Sequence, residues 1–439
     1  MTDTQAALAV PARLRLRDCY RFFVPLVLMV ELNMISKSVI HAFLARTADP
    51  SANLAGFNAA FTFYFALTSA TEITTVLCLS YAKSRADFAR ILAFMMLILA
   101  LPIAIALAVC FGPLGEALFV GALGLGETAT AQARAVVGLL TLSAPVLLLR
   151  GVAFALLMTN RRTLIITCST FVRLLSLAAS LVILPAWLQG AAIGAAALVI
   201  CMASETVFAW FFAARHVREL PAGRTSNDTF FGYWRFSWPL IINGSAELGV
   251  IFVINLFLGQ LRDPELAIAA FGVAHGLISL MIAPMRNLTQ TAQALVNRRE
   301  DIRTLLGFTG QLVAFFTMLA LVLFETPLRQ TILSGVMGLT PELAAYASPA
   351  MAISFVMATF WSLTALFRGF LAKSRTTASL AISGILRIAT AAIAGTLAIA
   401  DPTINGALLG VAAWIGSYVI ETAISTWRLR RLGWYVETL

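Results

Sequence analysis

Charged side chains are scarce in this sequence. Only 12% of its 439 residues are Asp, Glu, Lys or Arg, whereas 60% are hydrophobic and the mean hydropathy is +0.88. A soluble domain could not cover its surface with so few polar groups. The shortage excludes a soluble globular protein and predicts an integral membrane protein.

The motifs of several enzyme classes are also missing. The sequence has no GxxxxGK(S/T) phosphate-binding loop, no HExxH zinc motif and no GxSxG nucleophile motif, which argues against a P-loop ATPase, a zinc protease and a serine hydrolase. The cysteines lack paired metal-ligand spacing, so we interpret them as packing residues. They are Cys19, Cys78, Cys110, Cys168 and Cys201. We expect no catalytic residue, no metal and no cofactor, and we therefore predict that the protein is not an enzyme.

Long hydrophobic stretches follow one another along the chain with short polar breaks. Each stretch has roughly 20 to 28 residues, enough for a helix to cross a hydrocarbon core of about 30 Å. The runs are continuous rather than alternating, which excludes a β-barrel. We predict an all-α polytopic membrane protein with twelve transmembrane helices. The predicted spans are 20–45, 55–81, 91–112, 133–158, 164–187, 190–214, 236–260, 266–295, 305–324, 345–371, 377–400 and 404–427.

The net charge of +10 comes from basic residues that are unevenly distributed between the loops. Loops on one side hold 21 Lys and Arg residues and loops on the other side hold 4. The positive-inside rule therefore places both termini in the cytoplasm. The basic excess is an orientation signal, and we expect no nucleic-acid partner. No removable signal peptide is visible, because the first apolar run is long enough to remain as a span.

The second half of the chain repeats the first at an offset of 214 positions. The matched positions include Arg21, Phe22, Pro25 and Leu26 with Arg235, Phe236, Pro239 and Leu240, and Arg161 and Arg173 with Arg375 and Arg387. An even number of spans in each half predicts parallel pseudo-symmetric six-helix bundles around a central cavity near the bilayer midplane. The predicted division is an N-terminal bundle (1–215), a cytoplasmic linker (216–235) and a C-terminal bundle (236–439).

Eleven charged residues lie inside the predicted spans, where each costs at least ~2.5 to 3.5 kcal/mol to insert. They are Glu31, Lys37, Glu72, Arg150, Arg173, Glu205, Glu247, Arg286, Arg368, Arg387 and Glu421. His41 and His275 are further groups that titrate near neutral pH. Arg150 and Arg368 lie nearer the cytoplasmic ends, so we expect their side chains to extend to the membrane interface.

Two of the arginines, Arg173 and Arg387, are repeat mates close to the predicted midplane. Glu205 and Glu421 are also mates, after a two-residue shift, in the spans that follow. The pattern has two interpretations. It predicts either a repeated ion pair that ties adjacent helices together, or guanidinium groups that contact an anionic cargo.

Other charges break the repeat. Glu72 corresponds to Arg286, whereas Glu247 and Lys37 correspond to uncharged residues. Packing common to both halves cannot explain them. Gln290 and Gln293 share one helical face with Arg286, a polar stripe that predicts contact with water or a polar substrate. Because guanidinium groups bind phosphate and carboxylate in bidentate fashion, these charges favour an anionic cargo.

The predicted site has two groups of residues. Those expected to bind substrate are Arg173, Arg286, Arg387, Gln290, Gln293 and Lys37. Those expected to bind a coupling ion or to balance charge are Glu31, Glu72, Glu205, Glu247 and Glu421. The partners we expect are a small anion, the lipid bilayer and a proton or sodium as coupling ion, in a monomer.

Several short motifs resemble the progressive ankylosis (ANK) proteins, within the multidrug/oligosaccharidyl-lipid/polysaccharide (MOP) exporter superfamily that includes the MATE transporters. The motifs are FSWPL (Phe236–Leu240), VINLF (Val253–Phe257), LRI (Leu386–Ile388) and GALLGV (Gly406–Val411), with Glu421 downstream. The resemblance implies a MATE-like fold and an exporter of polyanions of the pyrophosphate, ATP or citrate class. It also implies that Arg387 belongs to the functional core.

The sequence departs from that family in ways that limit the comparison. Vertebrate members carry a long charged tail, whereas this sequence ends soon after its last span. The compact loops and the missing tail predict a bacterial inner membrane. Lys37, Arg150 and Arg286 lie outside the matching motifs, so their predicted roles depend on their residue chemistry alone.

The predicted function is export of a polyanionic small molecule by alternating access. One alternative is a proton- or sodium-coupled cation or drug antiporter of the MATE type, in which Glu31, Glu72 or Glu247 would bind the exchanged ion. Another is a flippase for lipids or lipid-linked headgroups, which would act through a lateral opening.

Overall fold

The computed structural model describes residues 14–44, 46–122, 125–223, 228–337, 339 and 341–433. These residues are almost entirely helical and include no β-strand, which confirms the predicted all-α class. Helix α1 contains Lys37, a predicted site residue whose side chain lies outside the described part of the structure.

The first half, residues 14–223, and the second half, residues 228–433, contain nine α-helical segments each. The first nine are α1 (Leu16–Leu44), α2 (Pro50–Leu67), α3 (Ile73–Tyr81), α4 (Arg85–Phe111), α5 (Leu114–Glu116), α6 (Glu127–Thr141), α7 (Ser143–Thr159), α8 (Thr163–Ile183) and α9 (Ala191–Glu219). The others are α10 (Phe230–Leu258), α11 (Pro264–Ile282), α12 (Leu288–Leu295), α13 (Arg299–Glu325), α14 (Leu328–Gln330), α15 (Pro341–Ala352), α16 (Phe355–Lys373), α17 (Ala378–Ala400) and α18 (Gly406–Arg431).

Nine helices of the described residues are long and apolar enough to cross a membrane, or eleven if each of two bent pairs forms one span. The molecule therefore has the helices of a multi-pass membrane protein. Helix α1 covers the first predicted span but includes side chains outside the described part, and it is not counted among the eleven. The predicted number of twelve remains a prediction.

Two of the predicted spans contain a 3₁₀ segment at corresponding places. In the second span, α2 and the helix that begins at Ser69 meet at an angle of 58°, with a 3₁₀ turn over Ser69–Glu72. In the eighth span, α11 and α12 are separated by a 3₁₀ segment over Ala283–Asn287, whose Pro284 cannot donate a backbone hydrogen bond. The offset of 214 superimposes these segments, so the repeat extends to the irregular backbone.

Corresponding helix pairs pack together in the two halves. Helix α8 packs against α1 and α9, as α17 packs against α10 and α18. Helix α7 packs against α9, as α16 packs against α18. Helices α9 and α10 continue into the predicted linker, to Glu219 and from Phe230. The division into two bundles remains a prediction, supported by this matched packing.

The two halves meet at the face of the molecule that carries Leu14, Ser80, Asp301 and Arg375, which we call the terminal face. The backbone N–H of Leu14 donates to Asp301 Oδ1 (3.3 Å). The guanidinium of Arg375 donates to the carbonyl of Ser80 (3.1 Å) and lies 3.9 Å from the ring centroid of Tyr81. These contacts close the space between the halves towards the terminal face.

Candidate functional site

A cavity of about 560 Å³ lies between the two halves. A second cavity of about 350 Å³ adjoins it. The residues that line both are Glu72, Glu247, Leu248, Arg286, Gln290 and Trp361. Because both halves contribute to these walls, a relative movement of the halves would change the shape of the cavities.

The 3₁₀ segments place Glu72 and Arg286 on the cavity walls. Both side chains are exposed there. Gln290 lines the same walls one turn after Arg286, as the polar stripe predicts. Short 3₁₀ segments inside longer helices often mark functional hinges, and in this molecule they carry the two charges that exchange sign between the repeats.

In the first half, Glu205 is fully buried and paired with two arginines. Its Oε2 lies 3.2 Å from Nη1 of Arg150 and 3.4 Å from Nη1 of Arg173. Thr170 donates a hydrogen bond to the other carboxylate oxygen at 3.1 Å. The buried charge of Glu205 is thereby compensated, as a carboxylate in an apolar interior requires.

In the second half, Glu421 forms the corresponding cluster. Arg368 contacts its Oε1 at 2.9 Å and Arg387 contacts its Oε2 at 3.2 Å. The side-chain amide of Asn243 donates to Oε1 at 2.9 Å. The predicted ion pairs of Arg173 with Glu205 and of Arg387 with Glu421 are confirmed.

The second cluster has a further carboxylate, Glu247, which lines the cavities. It pairs with Arg387 and accepts a hydrogen bond from the hydroxyl of Tyr418. The indole N–H of Trp414 donates to its Oε1 at 3.4 Å. The guanidinium of Arg387 also lies 4.0 Å from the ring centroid of Tyr418. Arg387 therefore joins a fully buried carboxylate to one on the cavity wall.

Arg150 and Arg368 do not extend to the membrane interface as expected. Each pairs with the buried glutamate of its own half and lines a cavity, Arg150 the larger and Arg368 the smaller. The reason is electrostatic: Glu205 and Glu421 each lie on a neighbouring helix within reach of the guanidinium. The offset of 214 does not match these arginines, because they lie 218 positions apart, about one helical turn more.

Other predicted residues lie away from the cavity walls. The amide of Gln293 donates to Val76 O (3.2 Å) and Ser80 Oγ (2.9 Å), so it joins the two halves at the terminal face. Arg173 is nearly buried beside Glu205 and does not line either cavity. Glu31 is half-buried on α1 and is also absent from both linings. Their predicted roles in binding cargo or a coupling ion are not supported by these positions.

An aromatic wall beside the charges was not predicted from the sequence. The ring of Trp361 lies 4.7 Å from that of Tyr418, and His275 lies 4.6 Å from Trp414. Trp414, Tyr418 and Glu421 are spaced four and three residues apart on α18, and this spacing puts them on one helical face. That spacing was the signal available in the sequence.

No protein-family model matches the chain, and no curated protein is similar to it in sequence. Solved structures do match. A MATE protein in a bent conformation has a TM-score of 0.73 at 14% identity, with 95% of each chain covered. A Vibrio cholerae MATE transporter in a bent form has a TM-score of 0.69 at 15% identity, covering 94% of this chain and 98% of that one. A MOP superfamily transporter from Pyrococcus furiosus has a TM-score of 0.68 at 14% identity, covering 95% and 96%. The likeness confirms the MATE-like fold.

Proposed function

We propose that the chain is a secondary transporter that moves a small organic or phosphorylated anion across the membrane by alternating access. The MATE-like fold and the cavity between the halves support a transporter. The terminal face would be cytoplasmic, in a bacterial inner membrane, because the loops predicted to be cytoplasmic hold the excess of basic residues.

The proposal of an anionic cargo rests on where the charged side chains lie relative to the cavity surface. Glu205 and Glu421 are 0% exposed, whereas the side chains of their partners Arg150 and Arg368 are 20% and 23% exposed and line the cavities. Arg286 adds an exposed guanidinium that lines both cavities. The charged residues that line the two cavities are the arginines Arg150, Arg286, Arg368 and Arg387 and the glutamates Glu72 and Glu247. The excess of guanidinium groups over carboxylates on these walls attracts phosphate or carboxylate.

One resemblance supports an anion further, and one neighbouring structure is compatible with it. The resemblance to the ANK proteins implies the pyrophosphate, ATP or citrate class, and Arg387 of the matching LRI motif is built into the second charge cluster. In the Pyrococcus furiosus neighbour, reverse polarity of the binding pocket suggests a different function. The shared fold is thus compatible with pockets of more than one polarity.

Uptake by proteoliposomes tests the proposal. Vesicles containing the purified chain are offered citrate, pyrophosphate and ATP in turn, and Arg286→Glu is compared with the wild type. We expect uptake of at least one anion, and we expect charge reversal to lower it at least about tenfold, since hydrogen bonds to charged groups contribute about 1.5 to 3 kcal/mol.

Arg262→Glu is the matched control, because Arg262 is an exposed arginine outside both cavity linings. Its uptake should equal that of the wild type. Equal losses in the two variants would contradict a specific role for Arg286, and the absence of uptake for every anion would contradict the proposed cargo.

A MATE-type cation antiporter is the second candidate. Glu72 favours it, because this carboxylate is exposed to the same cavities and pairs with no cation among the described residues. In that case an organic cation would be transported and Glu72 would bind the exchanged proton or sodium. If the chain is a cation antiporter, charge reversal of Arg286 should leave cation transport unchanged or increase it. If the chain is an anion transporter, the same change should abolish anion transport.

A further inference from the structure

Glu72 and Arg286 hold corresponding places in the two halves and carry opposite charges. They are 214 positions apart. Glu72 ends the 3₁₀ turn of the second predicted span, and Arg286 lies in the 3₁₀ segment of the eighth. Both line both cavities and both are exposed. The repeat thus brings one carboxylate and one guanidinium to the same cavity from different halves.

Neither side chain has an ion-pair partner within 4.0 Å in the part of the chain that the structure describes, and they do not pair with each other. The guanidinium of Arg286 lies 5.8 Å from the ring centroid of Trp361. The other charged side chains on the cavity walls each have a described partner of opposite charge. They are Arg150, Glu247, Arg368 and Arg387. The two exposed charges are therefore the ones that a ligand can engage without breaking an ion pair.

Glu247 is a poorer binding partner than Glu72 for a cationic group of a ligand. Its Oε2 already accepts from Arg387 and Tyr418, and its Oε1 accepts from Trp414. A ligand ammonium group at Glu247 would compete with these donors. Among the described residues Glu72 has no such donors, so water or a ligand would satisfy its charge.

We infer that the cavity binds a small molecule that carries both an acidic group and a protonated amine. The acidic group is held by Arg286, in the bidentate fashion that phosphonate and carboxylate allow. The ammonium group is held by Glu72. This inference rests on the proposed function and narrows its cargo from anions in general to anions that also carry an amine.

Calorimetric titration of the purified full-length chain tests the inference with three probes: 2-aminoethylphosphonate, ethylphosphonate and ethylamine. The aminophosphonate should bind at least about tenfold more tightly than either single-charge probe, because it makes charge-assisted hydrogen bonds to both residues. Glu72→Gln should abolish this preference without weakening ethylphosphonate binding, because it removes a negative charge from the cavity that holds the phosphonate. Arg286→Gln should weaken the binding of both phosphonates.

The exchanged variant Glu72→Arg with Arg286→Glu gives a stricter test. Because the two positions correspond in the repeat, exchange presents the same two charges in reversed order. The double variant should recover aminophosphonate binding that each single charge reversal loses. Thermal unfolding of each variant in detergent, compared with the wild type, separates lost binding from lost folding.

The two proposals fail in different ways. If the two phosphonates bind equally, and Glu72→Gln weakens both alike, the dual-charge site is contradicted while anion binding stands. The same pattern in transport would assign Glu72 to the coupling ion instead. If neither phosphonate binds and no anion is taken up by proteoliposomes, the anionic cargo is contradicted, and this inference falls with it.

Discussion

The two buried charge clusters are built alike but end differently. In the first half, Glu205 is held by Arg150, Arg173 and Thr170, and the cluster reaches the cavity through Arg150 alone. In the second half, Glu421 is held by Arg368, Arg387 and Asn243, and Arg387 continues to Glu247. The second cluster therefore presents a carboxylate as well as a guanidinium on the cavity walls.

The shared part of the clusters joins three helices in each half. In the second half these are α16, α17 and α18, with α10 added through Asn243 and Glu247. A carboxylate between two guanidinium groups leaves one positive charge in excess, which suits an anion-binding wall. The additional Glu247 offsets that excess in the second half. We conclude that the shared part stabilises the packing of helices in both halves and that Glu247 distinguishes the two halves in charge.

The largest difference between the two clusters is expected on removal of Arg387, the guanidinium that pairs with both Glu247 and Glu421. Arg387→Met deprives both Glu247 and Glu421 of a cation, and breaking a buried pair costs about 3 to 5 kcal/mol. Thermal unfolding in detergent should show a large fall in Tm. Arg173→Met is the matched variant, and its fall should be smaller, because it removes a cation from one carboxylate, Glu205, whereas Arg387→Met also removes the described cation partner of Glu247. Equal falls would contradict the difference between the clusters.

Removal of one hydrogen-bond donor should have an intermediate effect. Tyr418→Phe keeps the ring beside Arg387 but removes the hydroxyl that donates to Glu247, a loss of about 1.5 to 3 kcal/mol for a bond to a charged group. The same unfolding measurement should give a fall between those of Arg387→Met and the wild type. Trp361→Phe, at an aromatic residue that donates no described bond to Glu247, is the control. No change in the Tyr418 variant would contradict the role given to its hydroxyl.

The smallest effect on stability is expected at the terminal face. Arg375 and Arg161 are repeat mates with matching left-handed backbone, at φ 55° and φ 56°, but Arg375 bonds across the halves to Ser80 and Arg161 is exposed. Arg375→Gln should therefore loosen the closure. Arg161→Gln should not.

Spin-label distances check this last prediction. Labels at the exposed positions Arg162 and Arg303, in different halves, are introduced in a Cys168→Ala background, because Cys168 is the exposed cysteine of the described residues. We expect a longer-distance population in Arg375→Gln and an unchanged distribution in Arg161→Gln. A matching change in the two variants would show that Arg375 has no special part in closure.

Much of this fold and part of the candidate site can be predicted from the sequence. Hydrophobic length predicts the helices, and the repeat predicts the pairing of Arg173 and Arg387 with their glutamates, because corresponding residues occupy corresponding helix faces. The same reasoning does not hold for Gln293. A 3₁₀ segment has about 3.0 residues per turn rather than 3.6, so the backbone over Ala283–Asn287 changes the helical phase that would have aligned Gln293 with Arg286.

Other features needed tertiary distances. Arg150 and Arg368 lie 218 positions apart, whereas the repeat offset is 214. Their common role is therefore visible only in their contacts with Glu205 and Glu421. Likewise, the partners of Glu247 come from two different helices, α17 and α18. No local pattern links such residues until the helices are packed.

Direct binding to the purified chain tests the anionic cavity most simply. Pyrophosphate and tetraphenylphosphonium are titrated separately in a calorimeter, with the wild type and with Arg286→Glu. The excess of guanidinium groups over carboxylates on the cavity walls predicts that pyrophosphate binds the wild type and that the Arg286 variant loses this binding. Tetraphenylphosphonium should bind each protein more weakly than pyrophosphate binds the wild type. Tight binding of tetraphenylphosphonium with no binding of pyrophosphate would contradict the account.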